Sequence, residues 1–130
     1  MKSSLRTALG AALLVAAIAP VAAQTAGYPS KPVTLVVPFP PGGSTDMIAR
    51  TLAQQLQEKL GQSFVVDNRA GATGTIGAGQ VARAAPDGYT LFVSSLGPFV
   101  IAPHLIKNVP YDALKDLEPI TVAVQAPNVL

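Results

Sequence analysis

The sequence predicts an α/β fold built on a doubly wound, mainly parallel sheet, and three observations carry that expectation. Short β-branched apolar runs alternate with helix-periodic segments between residues 33 and 94. The loops between them are short, and a β-α-β-α-β order with short loops closes as right-handed crossovers with helices on both faces. Two Gly-rich segments each join the end of a strand to the start of a helix, the edge at which such sheets bind ligands.

The elements follow in order. VTLVV at 33–37 is an unbroken apolar run after two prolines, as expected of a strand buried on both faces. Residues 45–60 carry Ile48, Leu52, Leu56 and Leu60 at four-residue spacing, one face of a helix. Ser44 is its expected N-cap, Asp46 stands in its first turn, and Gly61 is its stop. FVVD at 64–67 is a second strand, 76–84 a small-residue helix ended by Pro86, and YTLFVS at 89–94 a third strand after the Asp87–Gly88 turn. Beyond it, 98–106 is expected to be a short helix, 110–117 a turn with a brief helical piece, and PITVAV at 119–124 a fourth strand.

Composition narrows the function. The 130 residues hold no Cys and a single His, which excludes disulfides, thiol nucleophiles and multi-histidine metal sites. The net charge of +2 comes from the N-terminus. Lys2 and Arg6 precede an apolar run at 8–18 that is shorter than the ~20 residues of a membrane span. Pro20 breaks the run, and Val21, Ala22 and Ala23 are small residues of the kind a signal peptidase reads. A signal peptide over 1–23 is expected, with the mature chain running over 24–130. Without Lys2 and Arg6 seven cations face seven anions, so nothing electrostatic points to nucleic acid.

Two loops carry the remaining information. The first is Phe39, Pro40, Pro41, Gly42, Gly43, Ser44, Thr45 and Asp46. Its glycines let the backbone approach a ligand closely, and the N–H groups of Gly43, Ser44 and Thr45 at the helix start make an anion site. The competing reading is a tight capped turn. The second runs from Asn68 through Gly71, Ala72, Thr73 and Gly74 to Gly77, where bare backbone accompanies the donors of Asn68, Thr73 and Thr75. Its competing reading is close helix–sheet packing through glycines. Two such loops at one edge of one sheet favour a site.

Other chemistries do not assemble. The second loop reads GxxGxxG rather than the dinucleotide GxGxxG, and no GxxxxGK[ST] or GxSxG is present. His104 follows Pro103 in an apolar context and is read as structural or exposed; Arg50 is read as solvated or paired. No enzyme, metal site or cofactor is expected.

The segment from Tyr28 through PPGGSTD and VVDNRAGATGTIGAGQVARAAPDGYTL, with VPYD at 109–112 and DLEPI at 116–120, resembles the periplasmic solute-binding receptors of tripartite tricarboxylate transporters, the Bug-type receptors. The resemblance implies lobe one of a two-lobe, type II-like clamshell, capturing a small organic carboxylate in the periplasm for the membrane components of such a transporter. It implies that Phe39, Pro41, Gly42, Gly43, Ser44, Thr45 and Asp46, with Asn68, Gly71, Ala72, Thr73 and Gly74, grip the carboxylate through backbone N–H groups and ordered water. Ser94 and Ser95 are then a third lip of the cleft. Phe99 and Val100 replace a more polar stretch of that family, which fits either an aromatic carboxylate or core packing. Family members run to roughly twice this length, so residues 24–130 are read as an incomplete lobe one. The alternative is a stand-alone small periplasmic binding or interaction module, or a non-functional fragment.

Overall fold

The computed structural model describes residues 27–125; the expected signal peptide lies outside the described residues. Strand β1 is Val33–Val37, helix α1 Ser44–Leu60 and strand β2 Phe64–Asn68. A 3-10 turn, Ala72–Gly74, runs into helix α2, Thr75–Ala82, and strand β3 is Thr90–Phe92. A π-type turn, Gly97–Ile101, leads into the short helix α3, Ala102–Leu105.

The sheet has the order β2-β1-β3 and is wholly parallel. Register runs from Val33 opposite Phe64 to Val37 opposite Asn68, and from Thr34 opposite Thr90 to Val36 opposite Phe92. The first strand in sequence is therefore the central one. Its apolar run is explained by that position: Val33, Leu35, Val36 and Val37 are fully buried, with contacts on both faces. Burial of each such side chain favours folding by roughly 1.5–3 kcal/mol. On one face Val33, Leu35 and Phe64 pack on Ala53 and Leu56 of α1, joined by Val66, Tyr89, Leu91 and Val93. The first crossover runs from β1 to β2 and the second runs the opposite way, from β2 past β1 to β3, so right-handedness puts α1 and α2 on opposite faces. Helix α2 approaches closely because its inner residues are small: Ala78 is fully buried, and Gly77 and Gly79 are buried beside it.

The expected elements are present with five corrections. Gly43, not Ser44, occupies the N-cap position of α1; Ser44 is already helical and no side chain caps the end. The Asp46 carboxylate instead reaches back past the N-cap to the Gly42 N–H and fixes the turn before the helix. Strand β3 is shorter than 89–94, and α2 spans 75–82 after its 3-10 turn. Residues 113–115 form a turn rather than a helix. The fourth strand is absent among the described residues: 119–125 is extended but unpaired, with Ile120 and Val122 more than three-quarters exposed. A run of β-formers becomes a strand only by pairing, and this run takes neither sheet edge.

At the amino ends of the strands a clasp ties the chain entry to the turn before β3. Tyr28 Oη donates to the Gly88 carbonyl at 2.7 Å, and the Ser30 N–H donates to Tyr89 Oη at 3.0 Å. Lys31 Nζ lies 3.3 Å from Asp87 Oδ2 and 4.3 Å from the centre of the Tyr89 ring.

Candidate functional site

In a 2-1-3 strand order the crossovers part company at β1, and the crevice opens outside the carboxyl ends of β1 and β3. An open depression of about 300 Å³ lies there, lined by Phe39, Gly43, Ser44, Thr45 and Ser95. The first loop and the residue after β3 thus share one cavity. None of the five lining residues is charged. The first intrahelical bond of α1 runs from the Met47 N–H to the Gly43 carbonyl at 3.0 Å, so the N–H groups of Ser44, Thr45 and Asp46 precede it without intrahelical acceptors. Those groups and the positive end of a 17-residue helix suit a carboxylate or another small anion. Pro41 and Gly42 are exposed in the turn leading to them.

Behind the depression sits a closed polar ring. Asp46 is 2% exposed, and its Oδ2 accepts from the Gly42 N–H and from Arg50 Nε, each at 2.9 Å. Its Oδ1 accepts from Asn68 Nδ2 at 2.9 Å. Asn68 Nδ2 also donates to the Phe39 carbonyl at 3.1 Å, and Asn68 Oδ1 accepts from Arg50 Nη2 at 3.3 Å. The bond from Arg50, then that from Gly42, then that from Asn68 hold the Asp46 carboxyl well below the usual carboxylate range. The Arg50 guanidinium is pushed up in turn by the same bond. The side chains of Asp46 and Asn68 are engaged with each other and with the loop. Arg50 is paired, as one of its two expected states; its i,i+4 spacing from Asp46 is the sequence signal that marks it as a member.

The second loop lies apart from the depression. Asn68, Gly71, Ala72, Thr73 and Gly74 do not line it. Asn68 belongs to the polar ring, Gly71, Ala72 and Thr73 are exposed, and Gly74 is a packing residue. Gly74 has φ +88°, and a Cβ there would fall 2.6 Å from Pro98 Cγ and 3.2 Å from Pro38 Cβ. Segments following all three strands therefore meet at this one glycine. Ser94 Oγ is buried with no hydrogen-bond partner, next to Ser95 of the lining. Phe99 stacks edge-on against Phe92 at 5.4 Å, whereas Val100 is half exposed. Among the described residues no group of three or more His, Asp or Glu side chains is placed to hold a metal ion.

Comparison with known proteins follows the same lines. A profile described as "Tripartite tricarboxylate transporter family receptor" matches residues 48–130. The chain is 50% identical over 113 residues to protein BugT of Bordetella pertussis, covering 86% of this chain and 34% of BugT. It is 47% identical over 122 residues to a Bordetella bronchiseptica protein, covering 94% of this chain and 36% of that one. Among solved structures, periplasmic binding protein BugD superposes with a TM-score of 0.68 at 50% identity, over 72% of this chain and 31% of BugD. MatC from Rhodopseudomonas palustris with bound malate gives 0.65 at 44% identity, over 68% and 30% of the two chains. An R. palustris protein with adipate gives 0.65 at 45% identity, over 67% and 29%. The matched part of the chain spans about a third of the length of the curated relatives, which are therefore about two and a half times as long as this chain, somewhat beyond the expected doubling.

Proposed function

The chain belongs to the tripartite tricarboxylate transporter receptor family, and from that premise we propose that it contributes one wall of a periplasmic receptor site for a small organic carboxylate. The observation that carries this is the depression at the β1/β3 switch point, into which the unpaired start of α1 opens beside Ser95. The ligand carboxylate is held by the Gly43, Ser44 and Thr45 amides, directly or through water. Asp46 and the second loop, from Asn68 to Gly74, support those amides from behind. The site binds without performing chemistry: neither a nucleophile–base pair nor a metal set is needed for capture and release. The ligand passes to the membrane components of the transporter. Residues 1–23 act as the export signal. Similar proteins solved with malate and with adipate support a dicarboxylate.

Calorimetric titration of malate and adipate into the protein tests the proposal, with Gly43→Val as the control. A Cβ at Gly43 meets nothing nearer than the Pro40 carbonyl at 3.8 Å, so the variant keeps its fold while its side chain obstructs the amides. Binding that Gly43→Val abolishes supports the reading. Equal affinity in the two proteins removes the first loop from the site. Fusion of residues 1–26 to an export-dependent reporter tests the leader, and a reporter retained in the cytoplasm would refute it.

A further inference from the structure

The geometry points to Asp46, Arg50 and Asn68 as a positioning bolt that sets the shape of the first loop from the adjacent strand, without touching ligand. Its ligand consequence rests on the receptor reading; its effect on the loop does not.

The need for a bolt comes from the loop's own sequence. Between Phe39 and Gly42 stand Pro40 and Pro41, which have no N–H to donate, so this turn has little means of holding itself by backbone bonds. It is held from outside at both ends. Asn68 Nδ2 fixes the Phe39 carbonyl, and Asp46 Oδ2 fixes the Gly42 N–H. The two pins are then joined to each other by the Asn68–Asp46 bond of 2.9 Å. Asn68 is a rigid point from which to do this, because it is the last residue of β2 and lies in register with Val37, the last residue of β1. The loop is thus referenced to the sheet across one strand spacing. Arg50 completes the ring through both partners, and it neutralises a carboxylate that would otherwise stand at the helix start and oppose an arriving anion.

The test reads the two ends separately in the full chain. Asn68→Ala and, as a change at a half-exposed position that spares the core, Arg50→Gln are compared with wild type by amide hydrogen exchange. Loss of a hydrogen bond to a charged group is expected to speed exchange at Gly42 roughly tenfold or more, with the amides of Ala53 and Leu56 in α1 unchanged. The double variant Arg50→Gln with Asn68→Ala is expected to speed Gly42 exchange by less than the product of the two single effects, because both side chains act through the one Asp46 carboxylate. Two separate local roles would multiply instead. Malate or adipate affinity, by calorimetry, falls in step with Gly42 protection. Unchanged Gly42 exchange in both Asn68→Ala and Arg50→Gln overturns the bolt. Faster exchange with full affinity overturns its role in positioning the site. Absence of dicarboxylate binding by wild type refutes the receptor reading instead, and the exchange experiment still decides the bolt.

Discussion

Gly74→Ala is the substitution whose penalty the structure defines most narrowly. Two effects add. At φ +88° an L side chain is forced into the left-handed region, at roughly 1–2 kcal/mol. The new methyl also arrives 2.6 Å from Pro98 Cγ and 3.2 Å from Pro38 Cβ. Proline rings have no rotamer with which to retreat, so the segments after β1 and β3 must move apart, an overpacking strain of about 1–3 kcal/mol. The total is about 2–5 kcal/mol, a large part of the roughly 5–15 kcal/mol that stabilises a domain. Gly61→Ala is the control: φ is +70° but nothing lies within 4 Å of the added Cβ, leaving the backbone penalty alone. Urea unfolding followed by circular dichroism measures both. With a slope near 1–2 kcal/mol per molar, the Gly74→Ala midpoint falls by at least about 1 M and further than that of Gly61→Ala. Equal shifts in the two variants would refute the convergence of the three segments at Gly74.

Acid should weaken the protein through Asp46. Its carboxyl is held low in the folded state against about 3.9 when unfolded, so its contribution is complete above that value and is lost as pH falls below it. The urea midpoint should drop between about pH 5 and pH 2, and Asp46→Asn should flatten part of that fall; parallel curves would dismiss the assignment. Ser94→Ala removes a buried hydroxyl that has no partner, so stability should hold or rise by up to about 1 kcal/mol in thermal unfolding. If the hydroxyl serves a bound carboxylate, the same variant binds malate less tightly, whereas a loss of stability would contradict its unpartnered state. Tyr89→Phe deletes the hydroxyl bonded to Ser30 and should lower the urea midpoint by the equivalent of about 0.5–1.5 kcal/mol. No change at all would show the clasp to be idle.

What the sequence made legible was what depends on neighbours along the chain. The buried central strand at 33–37, the 17-residue helix and its Gly61 stop follow from local pattern. The start of that helix misled by one residue: Ser44 has the side chain of a cap, but Gly43 holds the extended N-cap backbone and Ser44 is already helical. The run 119–124 has the composition of a strand, but composition does not supply a partner. Placement of the two Gly-rich loops at one sheet edge was correct, whereas their division of labour was hidden. Which loop meets the depression depends on the 2-1-3 strand order, and Asn68 meets Asp46 across 22 residues of sequence with no local mark. The competing reading of the second loop, close packing through glycine, describes Gly74.

The central position of β1 also dictates when this chain acquires structure as it grows. Both neighbours of β1 come later in sequence, the second only at Thr90, and the clasp on Tyr28 and Ser30 waits for Gly88 and Tyr89. A nascent chain shorter than this has a central strand with one bare edge and an unfastened beginning. Its strand pairings are non-local, Val33 with Phe64 and Thr34 with Thr90, which slows closure of the sheet. Synthesis of some sixty residues beyond β1 must therefore precede its completion, and until then the most apolar strand of the molecule stays available to whatever escorts the emerging polypeptide.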